Sequence, residues 1–133
     1  MRWFVFNYLI GNSDAHAKNI AFLVSPGRID LAPAYDLLSV RPYGDDYDYM
    51  AMSIASEIRY GWIEKSQWDE LATTLNISRS FMTRILRELA VSVPRNGKSL
   101  LRSAEFLAEE RNFLQEVVAL IETHAGYVTE ALS

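Results

Sequence analysis

From residue 66 onward the chain sets its apolar residues at helical spacing, and this period constrains the fold more than any other feature. Leu71, Ala72 and Leu75 follow Ser66 and Asp69, a serine with an acid three positions later, which predicts a helix capped by Ser66. Ser78 opens a second pattern, with Phe81, Met82, Ile85, Leu86, Leu89 and Val93 on one face until Pro94, where the helix is expected to end. A third helix is expected from about Ser99, striped by Leu100, Ala104, Leu107, Leu114, Val117, Ile121, Ala125 and Val128. Stripes of this kind are what packing requires, so they read as core and not as cofactor contacts. His124 lies on the third helix without a neighbouring ligand set and reads as structural or exposed.

The first forty residues follow a different code. Trp3 to Ile10 is an apolar run too short to span a bilayer and without a signal-peptide cleavage pattern, so it predicts a buried helix that stops at Gly11-Asn12. Asn19 to Val24 reads as a strand, Ser25-Pro26-Gly27-Arg28 as a turn, and Ile29 to Ala32 as the returning strand, ended by Pro33. The expected fold class is therefore mainly α, an α+β helical bundle with one small β-hairpin. Residues 1–133 form a single domain, with residues 1–41 distinct from a helical remainder at 50–133. The run Pro42 to Tyr49, rich in acids and tyrosines, separates the two and reads as a solvated loop.

A hydrophobic content of 50% in 133 residues suits one core. The absence of cysteine removes disulfides and thiolate metal sites and fits a reducing cytoplasm. A net charge of −4 argues against general attraction to nucleic acid.

The chemistry concentrates in Asn12-Ser13-Asp14-Ala15-His16-Ala17-Lys18-Asn19 and in Tyr35-Asp36-Leu37. The spacing Asp14-x-x-x-x-Asn19 suits phosphoryl transfer: a carboxylate orients and deprotonates an attacking hydroxyl while a nearby amide oxygen coordinates Mg²⁺. Asp36 offers a second oxygen ligand, and the hairpin would carry it back toward Asn19. Neither group completes an octahedron, so Mg²⁺ is expected to arrive with ATP. Lys18 can offset phosphate charge. His16 can touch the nucleotide or hold the loop through its ring nitrogens. A glycine-rich phosphate loop and the strand lysine of a complete kinase are not visible, since the glycines are scattered.

The run Leu9 to Asn19, the hairpin after it and Leu31 to Ser39 resemble the C-terminal lobe of HipA-type toxin kinases, and a weaker similarity continues through Met50 to Ile54 into the helices. The resemblance implies a protein-kinase-like C-terminal lobe with Asp14 as proton acceptor and Asn19 and Asp36 as metal ligands. His16, Lys18, Asn19, Tyr35 and Asp36 would border the nucleotide. It further implies a protein serine/threonine kinase in a toxin-antitoxin context, with an aminoacyl-tRNA synthetase as substrate class and a DNA-binding antitoxin as partner. A whole N-terminal lobe precedes this point in the family, so the chain is expected to be a C-lobe that needs an N-lobe for activity. Ile54-Ala55-Ser56-Glu57 departs from the family pattern, which often has glycines there.

Two other readings compete. Leu71 to Leu89 resembles a helix-turn-helix, with Asn76 in the turn and Arg79, Arg84 and Arg87 on the second helix, although Glu64, Asp69, Glu70 and Glu88 surround them. The third reading is a non-catalytic interaction module that keeps the lobe's fold.

Overall fold

The structure, a computed structural model, describes residues 1–44, 48–103 and 105–133. Its order is α1 (Arg2–Ile10), β1 (Phe22–Ser25), β2 (Arg28–Leu31), β3 (Tyr49–Ile54), β4 (Glu57–Arg59), α2 (Lys65–Thr74), α3 (Arg79–Ser103) and α4 (Ala108–Ala131). Short 3₁₀ turns occupy Ala17–Asn19, Arg41–Tyr43 and Tyr60–Trp62.

α1 is apolar around most of its circumference, and a helix of that composition can only be stable when enclosed. Val5, Tyr8, Leu9 and Ile10 are buried, and α3 and α4 both pack against the helix. The same core takes Trp68 and Ala72 from α2, Met82, Ile85, Leu86, Leu89 and Ala90 from α3, and Ala125 and Val128 from α4. Ile54, Tyr60 and Ile63 close it from the β3–β4 side. A Cβ at Gly97 would stand 3.2 Å from Val118 Cγ2, so the bare glycine permits the close approach of α3 and α4.

The two sheets are antiparallel pairs. In the first, Phe22 faces Leu31 and Ser25 faces Arg28, leaving Pro26-Gly27 as a two-residue reversal with Gly27 at φ 75°. Its strand begins at Phe22 and not at Asn19, because Asn19 is held in the preceding 3₁₀ turn. In the second, Ile54 faces Glu57, so Ala55 and Ser56 form the loop at φ 48° and 70°. This second hairpin was not expected, since residues 50–133 read as a helical remainder. Left-handed residues without glycine gave no turn signal in the sequence.

Three helix boundaries also differ from expectation. α2 starts at Lys65, one residue ahead of the expected cap Ser66, because the Gln67 side chain accepts the Glu64 N–H at 3.1 Å and fixes the first turn there. Pro94 does not end α3, which continues to Ser103, and Ser99 therefore starts no helix. Burial of the α3 face against α1, α2 and α4 outweighs the missing proline N–H. α4 begins at Ala108, which leaves Leu107 exposed as its N-cap and removes Leu100 from the stripe. Within α4 the buried register is Val118, Ile121, His124, Ala125 and Val128, displacing Val117. Ala104 and the acids Asp45 and Asp46 lie outside the described residues.

Candidate active site

Two loops meet beside the first hairpin. One begins where α1 ends: Gly11 is left-handed (φ 67°, ψ 40°), its N–H donates to the Tyr8 carbonyl, and the Asn12 N–H donates to the Asn7 carbonyl. These paired bonds are a Schellman reversal, which satisfies the last helix carbonyls and turns the chain outward. Asn12 Oδ1 then accepts the Asp14 N–H at 3.2 Å, an Asx turn that presents the Asp14 carboxylate with 67% of its side chain exposed.

His16 stands on the same loop, its Nε2 3.9 Å from Asp14 Oδ1, an ion pair only when the ring is protonated. The His16 N–H donates to Asn19 Oδ1 at 3.0 Å, which folds the chain into the Ala17–Asn19 turn, buries Asn19 and leaves Lys18 exposed.

The second loop follows β2. Tyr35 donates its hydroxyl to the Lys18 carbonyl at 2.9 Å, strapping this loop onto the first. Asp36 takes a left-handed backbone (φ 57°) and accepts a hydrogen bond from Asn19 Nδ2 on Oδ2 at 2.7 Å. The hairpin thus brings together the two groups that sequence spacing paired across it. Lys18 meets Tyr35 through its backbone carbonyl and is itself exposed.

Mg²⁺ and other hard cations take oxygen ligands, which the Asp36 carboxylate offers as it stands, whereas Asn19 presents Nδ2 to Asp36 and keeps Oδ1 on the His16 N–H. Among the described residues no group of three or more His, Asp or Glu side chains is placed to hold a metal. A cation here would therefore rest on Asn19 and Asp36 and take its remaining ligands from water or phosphate. Next to Asn19 an apolar cleft of about 470 Å³ is lined by Phe4, Ile20, Ala21, Leu31, Ala32 and Met52.

Two residues at the site were given no role in it by the sequence: Asn7, and Asn12, which was read only as a helix stop and the start of the motif. Asn7 and Asn12 are 3% and 4% exposed, and Asn12 Nδ2 donates to Asn7 Oδ1 at 2.7 Å and to the Asp36 carbonyl at 2.9 Å. The available signal was Asn7 itself, an amide inside an apolar run, which must find a partner when buried.

A mainly helical lobe with two small antiparallel hairpins is the fold of a protein-kinase-like C-terminal lobe. The HipA-like C-terminal domain model matches residues 1–96, and the chain belongs to that family. It is 30% identical over 98% of its length to the serine/threonine-protein kinase toxin HipA of Shewanella oneidensis, and 29% identical over 86% to the toxin YjjJ of Escherichia coli. The chain spans 31% and 24% of those two proteins. Among solved structures it is similar to the Shewanella oneidensis HipA complex with HipB and operator DNA, with a TM-score of 0.82, 27% identity, and coverage of 98% of this chain and 32% of that one. Among the described residues no helix is long and apolar enough to cross a membrane.

Proposed function

We propose that this chain is the catalytic C-lobe of a HipA-like protein serine/threonine kinase, acting in the cytoplasm on a protein hydroxyl with Mg²⁺ and ATP. The observation that carries the reading is the 2.7 Å contact of Asn19 with Asp36 beside the exposed Asp14. Asp14 orients the substrate hydroxyl and accepts its proton as the new O–Pγ bond forms and the bond from Pγ to the ADP oxygen breaks. Mg²⁺, when bound, neutralises phosphate charge. Asn19 and Asp36 hold it, which requires the Asn19 amide to turn Oδ1 toward Asp36 and release the His16 N–H. His16 braces the loop and Lys18 adds positive charge near the phosphates. The apolar cleft accepts the flat base, with Tyr35 closing the strap.

The relatives are longer, and the remaining parts of the machine follow from them as proposals. A second lobe covers the cleft and the exposed faces of β1 and β2, where Phe22, Leu23, Val24, Ile29 and Leu31 all face solvent. The protein substrate is of the aminoacyl-tRNA synthetase class, and a DNA-binding antitoxin restrains the kinase.

Calorimetric titration with Mg-ATP tests the site. Metal-dependent binding that Asp36→Ala abolishes is the expected result, strengthened when an N-lobe is supplied. Equal binding by Asp36→Ala, or no binding with the N-lobe present, refutes the assignment.

A second reading rests on a groove between α2 and α3 lined by Lys65, Arg79, Ser80, Thr83, Arg84 and Arg87. Asn76 at φ 52° makes the tight turn that a helix-turn-helix needs. Lys65 is already paired with Asp69 at 2.5 Å, which weakens the groove as a phosphate site. A salt-sensitive DNA mobility shift lost in Arg79→Ala/Arg84→Ala would favour it.

A further inference from the structure

We infer that Asn12 is a positioning residue that sets the Asp36 carboxylate for its metal, an inference that rests on the nucleotide reading above. Asn12 stands at the junction of the two loops. Its Oδ1 accepts the Asp14 N–H at 3.2 Å, and its Nδ2 donates both to the Asp36 carbonyl at 2.9 Å and to Asn7 Oδ1 at 2.7 Å. One amide therefore holds the base loop and the metal loop, which lie far apart along the chain, in a single register.

The anchor behind it is rigid. Asn7 sits on the buried helix α1, and its Nδ2 donates to the Trp3 carbonyl at 2.8 Å, so Oδ1 is left pointing at Asn12. Both amides are almost wholly excluded from water, where an unmet hydrogen bond costs most.

The need for such a clamp lies in Asp36. Asp tolerates a left-handed backbone (φ 57° here) better than most non-glycine residues, yet it still favours the right-handed and extended regions when nothing holds it. Rotation of that backbone would swing the carboxylate away from Asn19. The carbonyl bond from Asn12 opposes the rotation at Asp36 itself, and the Val40 N–H bond to the Gly11 carbonyl (3.3 Å) ties down the chain beyond it. Asn12 thus acts on the metal through Asp36 and touches neither metal nor substrate.

The test compares ATP affinity with and without Mg²⁺ by following amide NMR shifts in the full chain, its Asn12→Ser variant and its Asn12→Ala variant. Serine can still accept the Asp14 N–H, as serine turns do, but cannot reach Asp36. Loss of outer partners of a metal ligand costs about tenfold or more in metal affinity, so the Mg²⁺ enhancement of ATP binding is expected to fall by about that factor in Asn12→Ser. Metal-free ATP affinity stays as in the parent, whereas a general structural defect would lower both. An unchanged enhancement in a folded variant overturns the inference alone, and loss of fold in both variants overturns it in favour of a purely structural role. No enhancement in the parent even when an N-lobe is supplied overturns the nucleotide reading and this inference with it.

Discussion

Ala55 and Ser56 carry the backbone that a two-residue hairpin loop demands, with φ positive at both positions, yet neither is the Asn or Gly that adopts it cheaply. Each therefore holds a conformation that costs on the order of 1 kcal/mol for an ordinary side chain. Replacing the pair by Asn-Gly should stabilise the protein by about 1 kcal/mol and raise the thermal midpoint by about 4 °C, read by calorimetry. A lowered midpoint would mean that the two side chains make contacts worth more than the strain. Beside this loop, Glu57 accepts two side-chain bonds from Arg59, at 2.8 and 2.6 Å, and backbone N–H bonds from Ile58 and Arg59. The Arg59 side-chain bonds first, and the backbone bonds after them, hold its carboxyl down at about 2, against an ordinary value of 4.5. Because the folded value lies below the unfolded one, this stabilisation is complete above about pH 4.5 and is lost as pH falls toward 2. Glu57→Gln should therefore flatten the acid limb of a pH-stability curve between those values and leave its shape near neutrality unchanged.

At the scale of elements, the sequence was readable wherever one residue type enforces a local geometry. Gly11 ends α1 and Pro26-Gly27 turns the first hairpin, both as their backbone preferences predict. The second hairpin was hidden because Ala55-Ser56 lacks that signature. The α3–α4 boundary was misplaced because Pro94 is a strong local signal that packing overrides. The approach of Asn19 and Asp36 was legible from the hairpin between them, whereas the Asn7–Asn12 clamp exists only after α1 is buried and Asp36 is carried back. Pro94 offers the direct test of the override. A proline inside a helix removes one backbone bond and crowds the preceding turn, at a cost of about 3 kcal/mol in an unstrained helix. Since the flanking packing of α3 persists, Pro94→Ala should raise stability by roughly 1 to 3 kcal/mol, measured as a higher urea midpoint at constant slope. Stability that falls on this change would show that α3 needs the distortion to meet α4.

Across the whole molecule, α4 lies wholly beyond the stretch that the family model matches, but its His124 links it to the site. The ring is fully buried, stacked on Tyr60 at 4.5 Å, and its Nδ1 faces the Tyr8 and Leu9 carbonyls at 3.0 and 3.2 Å. Carbonyls only accept, so Nδ1 carries the proton and donates. The bond caps the last turn of α1, immediately before Gly11 opens the loop of Asp14. Tyr60 adds a second tie, since its backbone carbonyl accepts the Tyr8 hydroxyl at 2.6 Å and its own hydroxyl lies 3.3 Å from Ser13 Oγ. His124→Leu keeps the apolar bulk but leaves those carbonyls without this donor, an expected loss of about 2 kcal/mol in urea unfolding. If α4 acts on the site through this contact, hydrogen exchange should accelerate at the amides of residues 11 to 15 well before it does in α3. Uniform acceleration would reduce His124 to a packing residue, and unchanged exchange at the loop would separate α4 from the site altogether.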